Sequence, residues 1–336
     1  MIVRQSRRQI LPTRRQILRY GAATAAASIA APAIAQAPWP NKTIKIVCSY
    51  PPGGLTDVFA RAYGDHIAQK TGQSVVVENK TGAAGAIAAE QVKAAPGDGY
   101  TLMWTNSTTM IQNKVLFKKL PYDPDKDFAL VSWMNAGHLP TIVNKNVPAK
   151  TVAEFAEYAK KNKVSMATYG AGSYAHIVCE MLNQHYGLKM EAVHYRGEGL
   201  MWQDVASGSV QGASGSYFSA ASVLQTGTGR PIAVPTMVRM KKLPDVPTFY
   251  EQGLTEKAFQ VRGWVGAVAP AGVPDEIVQK LSDLCVDGGK TERVQKINET
   301  FGIDEGARDR IYFKKVMDEE GPVLLEVVKS LHIDPV

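Results

Sequence analysis

From residue 44 onward, short apolar runs alternate with longer segments whose apolar residues recur every three to four positions. The first pattern suits a buried strand and the second one face of a helix. Ile44-Lys45-Ile46-Val47-Cys48 predicts a strand. Val58 to Ile67 predicts a helix that turns Val58, Phe59, Ala62, Tyr63 and Ile67 inward. Val75-Val76-Val77 predicts a short buried strand, Ala86 to Ala95 a helix, and Tyr100 to Trp104 a third strand. A loop rich in Asp and Pro (121–127) precedes a strand over Leu139 to Val143. Thr151 then opens a helix, with Glu154 completing a Thr-x-x-Glu capping box.

The alternation continues. Val164 to Thr168, Ala192 to His194, Val210 to Ala213 and Ile232 to Val234 predict strands. Helices over Tyr174 to Tyr186, Leu200 to Ala206 and Phe218 to Leu224 separate them. Trp264 to Val268 predicts one more strand, followed mainly by helices, including Glu276 to Val286 and Tyr312 to Leu331. This spacing predicts an α/β fold with mostly parallel sheets, its helical tail wrapping back onto the first domain.

The residues before this pattern read as an export signal. Thr13-Arg14-Arg15-Gln16-Ile17-Leu18 is a twin-arginine pattern that Ser6-Arg7-Arg8-Gln9-Ile10-Leu11 nearly repeats. An alanine-rich apolar stretch from Gly21 to Ile34 follows, then Ala35-Gln36-Ala37, a small-x-small cleavage site. The stretch is well short of the ~20 residues that span a bilayer. Residues 1–37 are therefore expected to be a twin-arginine-type signal peptide, giving a periplasmic protein. They hold six arginines and no Lys, Asp or Glu, so removing them lowers the formal charge from +7 to +1. The basic balance belongs to the signal and implies no nucleic-acid partner. About 300 remaining residues suit two domains. Cys48, Cys179 and Cys285 are far apart and odd in number, so buried free thiols are expected rather than disulfides or a metal site.

In such sheets ligands sit beyond the carboxyl ends of the strands. The first strand leads into Pro51-Pro52-Gly53-Gly54-Leu55-Thr56-Asp57, the second into Asn79-Lys80-Thr81-Gly82-Ala83-Ala84-Gly85, and Val164 to Thr168 into Tyr169-Gly170-Ala171-Gly172-Ser173. Each loop opens a helix. The first N–H groups of a helix lack intrahelical partners, and the dipole favours negative charge there by ~0.3–1 kcal/mol. Glycine lets backbone approach an anion. Two such termini across a cleft would hold a small dicarboxylate, with Tyr169 and Tyr195, directly after strands, best placed to line it.

Other chemistries fit less well. Gly170-Ala171-Gly172-Ser173-Tyr174-Ala175 matches a dinucleotide fingerprint, but the next strand ends at His194-Tyr195-Arg196 with no acidic residue for a ribose. No cofactor is expected. Gly212-Ala213-Ser214-Gly215-Ser216 is not a nucleophile elbow. His176 lies one helical turn after Ser173, where a histidine more often orients a serine or bonds a loop than acts as a base. His176 and Cys179 share a helix face without further ligands, so no metal is expected.

These loops and turns, taken in order, resemble the substrate-binding proteins of tripartite tricarboxylate transporters, also called the Bug family. The likeness covers the chain from Trp39-Pro40-Asn41-Lys42-Thr43-Ile44 onward. It is carried by Pro52-Gly53-Gly54-x-x-Asp57-x-x-Ala60-Arg61, Gly72-Gln73-x-Val75-Val76-Val77-Glu78-Asn79-Lys80-x-Gly82-Ala83 and Pro96-Gly97-Asp98-Gly99-Tyr100-Thr101-Leu102. Leu120-Pro121-Tyr122-Asp123-Pro124-x-x-Asp127-Phe128, Leu243-Pro244-Asp245-Val246-Pro247-Thr248 and Ala269-Pro270-Ala271-Gly272-Val273-Pro274 complete it.

The resemblance implies a two-lobed, flytrap-like binding protein of the periplasmic type II kind. Lobe 1 would comprise residues 38–141 plus 262–336 and lobe 2 residues 142–261, hinged near residues 141 and 261. It implies a carboxylate held by backbone N–H groups and waters at Pro52, Gly53, Gly54, Leu55, Thr56 and Asp57 and at Gly82, Ala83, Ala84 and Gly85. The second lobe would contribute Gly170, Gly172, Ser173 and His176. Gly82-Ala83-Ala84-Gly85 departs from the family's Gly-Ala-Gly-Gly, and Val193-His194-Tyr195-Arg196-Gly197 from its Val-Pro-Tyr-Lys-Gly. Residues 210–216 lack the family's usual acidic residue, which favours a plain or aromatic carboxylate over an amino acid. The expected function is capture without chemistry by a monomer that hands its cargo to membrane transporter subunits. Presentation to a membrane sensor kinase, and a hydrolase or isomerase using Ser173 and His176, are the rival readings.

Overall fold

The computed structural model describes residues 38–195, 197–260, 263–331 and 334–335. The signal segment 1–37, Arg196 and the crossing near residue 261 lie outside the described residues.

The chain builds two five-stranded sheets. The first holds β1 (Ile44–Cys48), β2 (Val75–Asn79), β3 (Thr101–Asn106), β4 (Phe128–Asn135) and β10 (Trp264–Pro270), in the order β2-β1-β3-β10-β4. The second holds β5 (Thr141–Asn144), β6 (Ser165–Thr168), β7 (Glu191–His194), β8 (Gly212–Ser214) and β9 (Gly229–Ala233), in the order β7-β6-β8-β5-β9. In each sheet three neighbouring strands are parallel. One reversed strand, β10 or β5, then pairs antiparallel on both sides. Four of five strands in each sheet therefore share a direction, and their C-terminal loops open at one end.

The helices are α1 (Leu55–Thr71), α2 (Ala86–Lys93), α3 (Asn113–Leu116), α4 (Val152–Lys161), α5 (Tyr174–Tyr186), α6 (Glu198–Ser207), α7 (Tyr217–Gln225), α8 (Asp275–Gly288), α9 (Glu292–Phe301) and α10 (Arg310–Ser330). Local chemistry explains their ends. Thr151 Oγ1 accepts from Glu154 N at 3.1 Å, while Glu154 Oε2 accepts from Lys150 N at 2.6 Å, one residue earlier than a strict capping box. Left-handed Gly72, Gly187, Gly208 and Gly302 stop α1, α5, α6 and α9.

The tail helix α10 packs on the first sheet as expected. It buries Phe313, Val316, Leu324 and Val328 in the core that holds Trp133 and Trp264. Each such side chain contributes roughly 1.5–3 kcal/mol. The second sheet has its own cores on its two faces, one around Phe155, Met166 and Phe249, the other around Met201, Trp202 and Ala213. All three cysteines are free and buried. Among the described residues no helix is long and apolar enough to cross a membrane.

Strand β4, helix α3 and the turn that leads into it went unpredicted. Strand β4 follows the Asp- and Pro-rich loop directly, and a π-helical turn, Thr108–Gln112, leads into α3 immediately after β3.

Candidate functional site

Within the first sheet, the loops after β1, β2 and β3 lie side by side and are tied together by buried polar side chains. Asp57, 3% exposed, is the centre of the first loop. Its carboxylate accepts from Gly53 N at 3.0 Å, Arg61 Nε at 3.1 Å and Asn79 Nδ2 at 2.9 Å. Asn79 Nδ2 also donates to Tyr50 O at 2.9 Å, so the loops after β1 and β2 are clamped to each other. Burial alone would raise the Asp57 carboxyl pKa, but the bonds from Arg61, Gly53 and Asn79 outweigh it and hold it below its ordinary value.

The third loop supplies the floor. Tyr50 Oη donates to Asn106 Oδ1 at 2.7 Å and lies 3.3 Å from Thr109 Oγ1. Thr109 Oγ1 and Asn113 Nδ2 each donate to Ala84 O at 3.0 Å, fixing the second loop from below. Tyr122 Oη in turn donates to Thr109 O at 2.5 Å and accepts from Asn113 Nδ2 at 2.9 Å. The π-helical turn thus aims Thr109 and Asn113 at one carbonyl, the kind of local distortion that recurs at functional sites.

The second loop is wound left-handed throughout. Gly82, Ala83, Ala84 and Gly85 have φ of 123°, 46°, 50° and 86°. A Cβ on Gly85 would fall onto Thr109 Oγ1, so only glycine fits there. The two alanines each carry ~1–2 kcal/mol of left-handed strain. Neither α1 nor α2 has a side-chain cap on its N-terminus, and Pro52, Gly53, Gly54, Gly82 and Ala83 are exposed. At the α2 start the Ala86 N–H is taken by Ala83 O, and before α1 the Gly53 N–H by Asp57.

The loop after β6 has its helix start capped from within. Ser173 caps α5, its Oγ accepting from His176 N at 3.4 Å. His176 Nδ1 accepts from Gly172 N at 3.0 Å. The N–H groups of Tyr174 and Ala175 face the Tyr169 phenol oxygen, whose pKa burial pushes up, with the negative charge of Glu198 adding to the rise. The start of α5 is therefore filled by the protein's own side chains. Ser173 and His176 are joined as a cap, with the imidazole lone pair taken by Gly172 rather than by the hydroxyl. Burial and the neighbouring His194 ring, 4.7 Å away, lower the His176 pKa to about 4, leaving it neutral near pH 7. Tyr195 is held by α6: its hydroxyl donates to Asp204 Oδ2 at 2.5 Å, and burial with that carboxylate raises its pKa to about 12.

Residues 210–216 lack an acid of their own, yet one arrives from elsewhere. Glu198, the first residue of α6, accepts from Ser216 N at 3.0 Å and from Ser216 Oγ at 2.6 Å. The segments 107–116 and 170–172 also meet: a Cβ on Gly172 would lie 2.5 Å from Leu116 Cδ1. On the far flank Phe218 of α7 stacks on Phe301 of α9 at 4.3 Å. Beside that stack a cavity of about 250 Å³ is bounded by Lys241, Lys242, Glu299 and Asp304. Its cations are paired, Lys241 to Asp304 at 3.4 Å and Lys242 to Glu299 at 3.8 Å, which makes it a seam more than a ligand site. Among the described residues no group of His, Cys, Asp and Glu is arranged to hold a metal ion.

The sequence reading named the first two loops, Asn79 among them, but missed Tyr50, Asn106, Thr109 and Asn113, which brace them. The signal was present: the polar run Thr105-Asn106-Ser107-Thr108-Thr109 directly follows a predicted strand.

Paired α/β sheets with polar loops gathered at the strand ends suit a solute-binding protein. Comparison with known proteins supports that class and narrows it. Residues 59–329 match the model described as the tripartite tricarboxylate transporter family receptor, and the chain belongs to that family of periplasmic solute-binding proteins. A protein encoded in the tcbD-tcbE intergenic region of Pseudomonas sp. (strain P51) is 32% identical over 251 residues, 73% of each chain. Protein BugT of Bordetella pertussis is 30% identical over 261 residues, 77% of this chain and 79% of its own. Among solved structures, R. palustris Rpa4515 with adipate superposes with a TM-score of 0.80 at 27% identity, over 89% of this chain and all (100%) of its own. MatC from Rhodopseudomonas palustris with bound malate gives 0.74 at 30% identity, over 86% and 100%.

Proposed function

We propose that the protein captures a small carboxylate, aliphatic or aromatic, between two lobes and delivers it to the membrane subunits of a tripartite tricarboxylate-type transporter. Lobe 1 comprises residues 38–141 and 262–336, and lobe 2 residues 142–261. The observation that carries the reading is the pair of uncapped helix starts, α1 and α2, braced together through Asp57, Asn79 and Thr109. Such N–H groups hold an anion without a counter-charge. The adipate and malate of Rpa4515 and MatC support a carboxylate cargo. Pro52 to Asp57 and Gly82 to Gly85 hold the carboxylate, while Tyr169, Gly170, Gly172 and Ser173, braced by His176 and with Tyr195 behind, form the facing wall. Residues 1–37 direct twin-arginine export and are removed in the periplasm, where the mature chain works as a monomer without nucleic acid.

The reading is tested by thermal unfolding of residues 38–336 against di- and tricarboxylates, aromatic carboxylates, amino acids and nicotinamide cofactors. A ligand at about 100 times its dissociation constant adds ~2.7 kcal/mol, seen as a raised midpoint. A shift with a carboxylate recovered unchanged supports capture. Silence from every carboxylate overturns it.

A further inference from the structure

The loops of the two sheets fill their helix starts differently. On the first, α1 and α2 begin without side-chain caps. On the second, α5 is capped by Ser173, and Gly172 N–H is consumed by His176. At the start of α7 Ser216 caps Ser219 N, and Glu198 lies over Ser216 itself. Its Oε2 sits 3.1 Å from Ser216 N and 2.6 Å from Ser216 Oγ. The approach is close enough that a Cβ on Gly215 would lie 3.2 Å from Glu198 Cδ. A ligand carboxylate arriving at the α7 start would find that place taken by a protein carboxylate.

Topology puts this group on the ligand side. Strands β6, β7 and β8 are parallel neighbours, so the loops carrying Tyr169, Glu198 and Ser216 open at one sheet end. Glu198 and Tyr169 interact electrostatically, as expected for side chains that share that end. The two carboxylate oxygens offer about four acceptor directions, and Ser216 occupies part of them. What remains accepts hydrogen bonds and repels anions.

We infer that Glu198 is a specificity-determining residue, and that the cargo carries one carboxylate for lobe 1 and a hydrogen-bond donor, ammonium or hydroxyl, for lobe 2. This deepens the proposed carboxylate capture and rests on it. A second ligand carboxylate within about 5 Å of Glu198 meets like-charge repulsion of tenfold or more in affinity. An ammonium in the same place gains from the same charge.

The test is calorimetric titration of residues 38–336 with length-matched acids: dicarboxylates (succinate, glutarate, adipate), ω-amino acids, ω-hydroxy acids and unsubstituted monocarboxylates. Wild type should bind an amino or hydroxy acid at least tenfold tighter than the matched dicarboxylate. Whichever series is tighter identifies the donor. Glu198→Gln keeps an oxygen for Ser216 N and should shrink that ratio about tenfold, mainly by strengthening the dicarboxylate. Reading the ratio within one variant cancels any loss of folded protein, and the wild-type series decides alone if the variant does not fold. A wild type that prefers the dicarboxylate, or a ratio unmoved by Glu198→Gln, overturns the assignment while leaving carboxylate capture standing. No binding by any acid overturns both.

Discussion

Asp57 offers the sharpest probe of how the first two loops are held. Replacing it with Ala removes a carboxylate that accepts from Gly53, Arg61 and Asn79 at 2.9–3.1 Å. Hydrogen bonds to a charged group are each worth ~1.5–3 kcal/mol when shielded. Here the donors can partly recover water, since the Arg61 side chain is 46% exposed and Gly53 lies on the surface. Discounting for that exposure leaves ~2–3 kcal/mol of lost stability. The binding penalty is separate. Freeing one or two loop residues costs ~1–2 kcal/mol of ordering when ligand arrives, about 5–30-fold in dissociation constant. Urea unfolding and calorimetric titration of the Asp57→Ala chain measure the two effects. The pH dependence adds a check. Because the folded carboxyl pKa lies below its ordinary value, its contribution is complete above the unfolded pKa of ~3.9 and disappears as pH falls through the folded one. The stability gap between wild type and variant should therefore close below about pH 4. Equal unfolding midpoints at pH 7, or unchanged affinity in a folded variant, would refute the bracing role.

Three further outcomes follow from the same geometry. Ala84→Gly relieves left-handed strain of ~1–2 kcal/mol against ~0.4–1 of added unfolded-state entropy, so stability should rise by about 0.5–1 kcal/mol, seen as a higher urea midpoint with an unchanged slope. Gly172→Ala, at φ +69° and with its Cβ 2.5 Å from Leu116 Cδ1, should cost ~2–4 kcal/mol; adding Leu116→Ala should recover the clash but not the backbone strain, which a double-mutant cycle resolves. His176 titrates near 4 when folded against ~6.5 unfolded, so its stabilisation is full above pH 6.5 and falls by up to ~3 kcal/mol as pH drops toward 4. His176→Asn, which can still accept from Gly172 N, should flatten that part of the profile and leave the share due to His194, also lowered by burial.

Sequence pattern located most strands and helices because each carries its own period and its own caps, as α5 shows with Ser173 before it and Gly187 after it. Strand β4 escaped because Phe128–Asn135 is buried at nearly every position, which leaves no alternation to read. The π-helical turn escaped because Thr108 and Thr109 are weak helix formers inside a turn, and tertiary bonds from Asn113 and Tyr122 hold it instead. At the site, loop positions were legible, since a glycine-bearing turn after a strand announces itself. What the side chains do there was not. The imidazole of His176 could serve Ser173, three residues back, or Gly172, four back, and only the fold chooses. Glu198 reaches Ser216 across 18 residues, so reading 210–216 alone concluded that no acid was present.

The pairing of β4 with β10 has a consequence for how the chain must be made. The polypeptide leaves the first sheet at Asn135 and re-enters it at Trp264, and those two residues are direct antiparallel partners. The second sheet, drawn entirely from residues 141–233, can assemble while the ribosome is still working. The first cannot: β3 waits for β10, leaving an open edge exposed until residue 270 has emerged. Because the two ends of the insertion already stand as a ladder rung, a tight turn joining Asn135 to Trp264 would convert them into a simple hairpin. The second sheet thus sits in an insertion between two directly paired strands of the first.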